Sequence, residues 1–219
     1  TVPDDVCVIT VSDTRQAMMA CVPYFFEYPA NHMRMIGVTG TNGKTTTTHM
    51  IRHILKAQGH KVGVIGTVHN TTPDVVDLQH ILHQMVQENV EYCVMEVSSH
   101  ALALGRVSGV EFDTAVFTNL TQDHLDFHKT FENYLAAKCK LFEQVSAANQ
   151  EKDNKGAVIN IDDSYGHRVM EKTTVPTITY STLGKGTLNA SDVHMSTKNS
   201  QYTVNYKGES YPVSMNTTG

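Results

Sequence analysis

The sequence predicts an α/β domain with a mostly parallel sheet, flanking helices and a C-terminal antiparallel hairpin. Short β-rich runs alternate with helical patterns from residue 34 to about 181, as parallel strands with crossover helices require. A glycine-rich turn joins the first run to a helix opening on Lys-Thr, and from Thr187 the alternation changes to period two. The 219 residues, 40% of them apolar, suffice for one substantial α/β domain, or one domain plus a fragment of another.

Residues 1–33 hold Pro23 and Pro29 and are too few to fold alone, so they read as the end of a preceding domain or a linker packed on the main one. Six strands follow: Met35–Thr39, Lys61–Thr67, Tyr92–Val97, Thr114–Asn119, Ala157–Ile161 and Thr177–Tyr180. Between them the helical patterns cover Lys44–Gln58, closing at Gly59, then Asp74–Glu88, Thr130–Ala147 and Asp163–Lys172. Tyr202, Val204 and Tyr206, followed by Lys207-Gly208, mark the hairpin.

A net charge of −5 and the absence of a Lys/Arg run argue against a nucleic-acid partner. No apolar stretch approaches 18 residues and no basic-then-apolar leader is present, so membrane insertion is not expected. Cys7, Cys21, Cys93 and Cys139 show no CxxC spacing and lie in apolar segments, which points to small hydrophobes in a reducing cytoplasm.

The segment "MIGVTGTNGKTTTTHMIRHIL" reads as strand, turn and amphipathic helix. Gly40 and Gly43 let the backbone wrap closely so that N–H groups and the helix N-terminus face an anion; Lys44 adds a point charge and Thr45 a hydroxyl for Mg²⁺. Val38 stands where the strict GxxxxGK(S/T) pattern has its first glycine. His49 and His53, four apart, have metal-ligand spacing but fit an exposed helix face better.

Glu96 is expected near the C-terminal end of a strand, where open parallel sheets bind ligands; it can hold Mg²⁺ or simply face solvent. Ser98, Ser99 and His100 suggest a serine hydrolase, yet GxSxG is absent. Asn119, Asp123, His124, Asp126 and His128 form a polar cluster after another strand. It could be a transition-metal site, a second Mg²⁺ or phosphate site, or a plain loop.

In "NYLAAKCKLF" two lysines stand two positions apart. At about 100° per residue Leu135, Phe142 and Val145 fall within about 40° of Phe131 and Lys138 at about −20°, whereas Lys140 lands at about 180°. Lys138 therefore faces inward and must snorkel, pair with a carboxylate or lose its charge. An uncharged amine there could take up CO₂ as a carbamate, an anionic ligand suited to Mg²⁺.

Taken in order, "GVTGTNGKTTTT", "NTTPD", "MEVSSHALALGRV", "FTNLTQDHLDFH" and "YLAAKCKLF" resemble the central ATP-binding domain of the Mur ligases, and within that family the MurE type. The resemblance covers residues 34–219 and, more loosely, "SDTRQAM", similar to the last helix of the preceding uridine-nucleotide-binding domain. Against the family pattern, nearly all of that domain and the whole C-terminal domain are expected to lie outside these residues, and the interval from Gly66-Thr67 to Thr71-Thr72 is about ten residues shorter than that pattern leads one to expect.

The resemblance implies an ATP-dependent ligase that adds L-lysine or meso-diaminopimelate to UDP-MurNAc-L-Ala-D-Glu through an acyl phosphate, in the bacterial cytoplasm and as a monomer. By analogy the loop Gly40, Thr41, Asn42, Gly43, Lys44, Thr45 and Thr46 binds ATP, with Lys44 on the β- and γ-phosphates. Thr45 and Glu96 would bind one Mg²⁺; His124 and Lys138, as N6-carboxylysine, would serve the second metal. Thr71, Thr72, Ser98 and Arg106 would contact the muramyl dipeptide. Folylpolyglutamate and cyanophycin synthetases carry similar modules, and a nonenzymatic nucleotide-binding fragment is the alternative of a different class. The isolated chain is expected to bind ATP weakly and not to ligate.

Overall fold

Alternation along one strand sets the frame for the whole sheet. In β1 (Arg34–Thr39), Ile36 and Val38 point to one face of the sheet, while Met35, Gly37 and Thr39 point to the other. The computed structural model describes residues 3, 6–66, 71–147, 152–197 and 199–216.

Around β1 the strands β2 (Val62–Ile65), β3 (Tyr92–Glu96), β4 (Thr114–Phe117), β5 (Gly156–Asn160), β6 (Thr177–Ser181), β7 (Leu188–Met195), β8 (Ser200–Tyr206) and β9 (Glu209–Met215) form one sheet. Its order is β2-β3-β1-β4-β5-β6-β7-β8-β9. Pairings from β2 through β7 are parallel; β7–β8 and β8–β9 are antiparallel. The expected hairpin is present as β8–β9, turning at Lys207-Gly208, and β7 is a further strand that joins it to the parallel sheet.

The helices are α1 (Thr14–Phe25), α2 (Lys44–Ala57), α3 (Val75–Gln87), α4 (Ser99–Ala103), α5 (Leu125–His128), α6 (Phe131–Ser146) and α7 (Gly166–Met170). On one face Val38, Val62, Val94 and Val116 pack with Ile51 and Leu55 of α2. On the other, Met35, Met95, Phe112 and Phe117 join Leu78 and Leu82 of α3 and Leu135, Leu141 and Phe142 of α6 in the larger core. A Cβ on Gly37 would lie 2.9 Å from the Phe112 ring and 3.1 Å from the Leu141 side chain, so glycine there leaves room for both side chains over the strand.

α1 starts at Asp13, whose carboxylate accepts the N–H groups of Arg15 and Gln16. It packs beside the turn after α4: Ser108 Oγ lies 3.4 Å from Met19 Sδ, and a Cβ on Gly109 would strike Pro23. Below the sheet, the buried Asp113 carboxylate accepts from Arg34, from Lys152 and from the backbone N–H of Met35.

Two expectations change. The helix anticipated over Asp163–Lys172 is only Gly166–Met170, because Asp163 is spent on a turn: its carboxylate accepts Tyr165 N–H and Leu120 N–H. Cys7 and Cys21 are exposed rather than buried, while Cys93 and Cys139 are core residues. Thr67, with which the second strand was expected to end, and the shortened interval lie outside the described residues. Among the described residues no helix is long and apolar enough to cross a membrane.

Candidate active site

The strand order reverses at β1: its crossover leads one way along the sheet to β2, whereas that of its neighbour β4 leads the other way to β5, so a crevice is expected above the carboxyl ends of these strands. The glycine-rich turn stands there. Gly43 is the N-cap of α2 in the left-handed region, at φ 84°, and Gly40 has φ 155°. A Cβ on Gly40 would sit 1.8 Å from Thr118 Oγ1, so only glycine lets the loop pass that close to β4.

The neighbouring strand end braces the loop. Thr41 N–H donates to Asn119 O at 2.9 Å and Asn42 N–H to Asn119 Oδ1 at 2.9 Å, while Asn119 Nδ2 and Thr118 Oγ1 donate to Asn42 O. Lys44 Nζ donates to Gly40 O and Thr41 O, both at 2.9 Å, which folds the ammonium over the loop. Burial pushes its pKa down, and Glu96 and Asp123 act in the opposite sense. Thr46 is exposed in the first turn of α2.

Glu96 ends β3 on the α2 side of the sheet, 2% exposed, and accepts from Thr45 Oγ1 at 2.9 Å. The solvent-facing alternative for this carboxylate is thereby set aside. A Cβ on Gly66 would lie 2.4 Å from Glu96 Oε1, so glycine keeps the approach to that carboxylate clear.

Lys138 approaches from the opposite face. It is 1% exposed, whereas Lys140 is exposed, as the helical periodicity required. Its Nζ lies 4.5 Å from the centroid of the Tyr134 ring, and among the described residues it makes no hydrogen bond or ion pair. Neither snorkelling nor a salt bridge accounts for it. Burial first, then the charge of Lys44, pushes its pKa down to about 7, with Asp123 opposing.

Thr39 bears on the same place. Its Oγ1 is buried without a hydrogen-bond partner, and it points to the α6 side of β1 two residues above Gly37. Because α6 runs antiparallel to β1, Lys138 stands above Leu141 just as Thr39 stands above Gly37. A buried amine and an orphaned hydroxyl on one level of one layer suit an added polar group such as a carbamate.

His124, at φ 52°, is exposed beside Asp123, with its Nε2 3.4 Å from Asp123 Oδ2. Its ring lies 4.9 Å from that of His100 and 6.1 Å from that of Tyr134. His128 is buried, with Nε2 2.9 Å from Ser99 Oγ. Burial is the main cause lowering the pKa of both His100 and His128. No three His, Cys, Asp or Glu side chains among the described residues converge as a metal site, so the transition-metal alternative for this cluster has no donor set. One hydroxyl and one carboxylate, Thr45 and Glu96, do suit Mg²⁺, which keeps waters and takes phosphate oxygens. His49 and His53 lie on the exposed face of α2, where His53 Nδ1 is 2.7 Å from His49 O.

Thr72, Ser98 and Arg106 meet beside Glu96. Thr72 Oγ1 is 3.0 Å from Glu96 O and accepts from Ser98 N–H; Ser98 Oγ caps α4 by accepting Ala101 N–H. Arg106 Nη1 donates to Thr72 O at 3.3 Å, and its Nε is buried without a partner. Thr71 is half-buried next to this group. Sequence reasoning missed the bracing by Thr118, the orphaned Thr39 and the hydroxyl of Tyr134, 3.0 Å from Thr41 Oγ1. Alternation could have flagged Thr39 as inward, but nothing local announces a contact across 93 residues.

A parallel sheet with a glycine loop, a Lys-Thr helix start and a buried carboxylate at its reversal point defines an α/β domain of the kind whose strand ends suit phosphate groups. Residues 38–219 match the family described as Mur ligase middle domain, and the chain belongs to that family. The UDP-N-acetylmuramoyl-L-alanyl-D-glutamate--2,6-diaminopimelate ligase of Clostridium botulinum is 45% identical over 98% of this chain and 45% of its own length. The Bacillus cereus protein of the same name is 42% identical over 98% of this chain and 46% of its own length. The chain thus spans about half the length of the curated relatives it matches. Among solved structures, a ligase of that name superposes with a TM-score of 0.79 at 30% identity, covering 94% of this chain and 44% of the other. A Thermotoga maritima MurF ligase in complex with ADP, at 19% identity, has a TM-score of 0.67 over 98% of this chain and 47% of its own and shares the fold.

Proposed function

We propose that this chain is the nucleotide-binding middle part of an ATP-dependent ligase that joins meso-diaminopimelate to UDP-MurNAc-L-Ala-D-Glu in peptidoglycan synthesis. The observation that carries the reading is the convergence, at one sheet edge, of the phosphate loop, the Thr45–Glu96 pair and the buried amine of Lys138. Relatives named for diaminopimelate favour that diamino acid over L-lysine. A reaction that carries several phosphates and a carboxylate into one crevice depends on fixed positive charge and oriented N–H groups, which this edge supplies.

In this reading the loop N–H groups and the α2 N-terminus hold the phosphates of ATP, and Lys44 leaves the loop carbonyls to bind the β- and γ-oxygens. Thr45 and Glu96 would hold one Mg²⁺, while His124 and Lys138 would serve a second; the chemistry supplied there would be charge stabilisation on the transferring phosphoryl group. Thr71, Thr72, Ser98 and Arg106 orient the muramyl dipeptide so that its glutamate carboxylate attacks the γ-phosphorus and ADP leaves. The diamino acid's amine then displaces phosphate from the acyl phosphate to give the amide.

Lys138 acts as a carbamate. The neutral amine bonds to the carbon of CO₂, one C=O pair moves onto oxygen, and a proton passes from nitrogen to solvent. A pKa of about 7 leaves a large neutral fraction for that step. The reading also places the protein, as a monomer, in the bacterial cytoplasm, with residues 1–33 as the end of a uridine-nucleotide-binding domain and 34–219 as the ATP-binding domain.

The test is phosphate release from ATP by the protein at its natural length, with UDP-MurNAc-L-Ala-D-Glu and either diamino acid. Release with meso-diaminopimelate is expected; none with either overturns the reading. An amide ligase of the folylpolyglutamate type would instead respond to a folate and glutamate.

A further inference from the structure

We propose that Tyr134 is the positioning residue that ties the phosphate loop to Lys138 and to the His124 loop, an inference that rests on the nucleotide site proposed above. Tyr134 is fully buried in the first turns of α6, four residues before Lys138, so the two side chains stack on one face of the helix. The ring lies under the lysine amine at 4.5 Å, and the rings of His128 and His124 stand 5.1 and 6.1 Å away.

The hydroxyl reaches the loop. Thr41 Oγ1 lies 3.0 Å from Tyr134 Oη, 3.0 Å from Thr121 N and 3.3 Å from Thr121 O. One arrangement of protons satisfies all of these at once: Tyr134 O–H and Thr121 N–H donate to Thr41 Oγ1, and Thr41 O–H donates to Thr121 O. Thr41 is thereby fixed between α6 and the segment that leads to Asp123 and His124. The ring adds a chemical bias. Its negative π face attracts an ammonium and repels an anion, so once Lys138 carries a carboxylate the end group is turned off the ring toward the phosphate loop.

The experiment compares wild type, Tyr134→Phe, Thr41→Val and the double variant, by titration with ADP and magnesium. In parallel, each chain is equilibrated with ¹³C-bicarbonate and its carbamate carbon is followed by NMR. Tyr134→Phe is expected to weaken ADP roughly fivefold, the worth of one neutral hydrogen bond, and to leave the carbamate signal in place because the ring remains. Thr41→Val, which also removes both bonds to Thr121, should lose at least as much, and the double variant no more than Thr41→Val alone, since the Tyr134–Thr41 bond is already gone there. Tyr134→Leu, which lacks the ring, should shift the carbamate resonance or abolish it.

Wild-type ADP affinity in Tyr134→Phe, or losses that add in the double variant, would overturn the link while leaving the nucleotide site standing. A wild type that neither binds ADP nor shows a carbamate would remove the site and the link together. Should Tyr134→Leu fail to fold, the Phe and Val cycle still decides.

Discussion

Replacing Lys138 by methionine keeps the length and apolar stem of the side chain and deletes the amine. In the unfolded chain a lysine holds its proton to about pH 10, whereas in the folded chain burial brings the pKa down to about 7. Between these values the unfolded state binds more protons, so this group makes wild-type stability rise with pH across that window and depresses it most below the folded pKa. From pH 7 to pH 9 the gain integrates to about 2 kcal/mol. Lys138→Met lacks that slope and should be the more stable chain at pH 7, its advantage shrinking by that amount at pH 9. Urea denaturation of both chains at the two pH values, in CO₂-free buffer so that no carbamate forms, reads the difference directly. A stability difference unchanged between pH 7 and pH 9 would refute a buried, uncharged amine.

Asp113→Ala should cost about 3 kcal/mol, because Lys152, its side chain 8% exposed, loses its carboxylate partner and stays buried; a chemical-denaturation curve measures it. Gly40→Ala places a Cβ against Thr118 in a conformation L residues rarely adopt, so ADP binding should be lost, with a stability cost of about 2 kcal/mol, by calorimetric titration and thermal melting. In Thr45→Ala magnesium should no longer strengthen ADP binding, compared by titration with and without the metal. A thiol reagent should label Cys7 and Cys21 in the folded chain and reach Cys93, its thiol pushed up to about 12 by burial, only after unfolding.

Much of this was legible before any coordinates. The Gly-Lys-Thr turn sits between strand and helix where its backbone requirements demand, and the period of α6 alone turned Lys138 inward and Lys140 out. Element ends moved by a residue or two, as at Arg34 and Gly156, because ladder hydrogen bonds rather than composition close a strand. Asp163 was misread because its side chain found a distant partner, the Leu120 amide, and Cys21 because the first helix turns it away from the core.

By itself the sequence determined the periodicities, the glycine positions that need unusual backbone, and hence which side chains turn inward, since these depend on neighbours within one helical turn or one pleat. Only the tertiary structure decided that Glu96 and Lys138 reach the crevice from opposite faces of the sheet, that Thr39 keeps an unpaired hydroxyl, and that Tyr134 bridges to Thr41. Those relations join residues tens of positions apart, and their geometry exists only once β3, β1 and β4 are set side by side with α2 and α6 on either face.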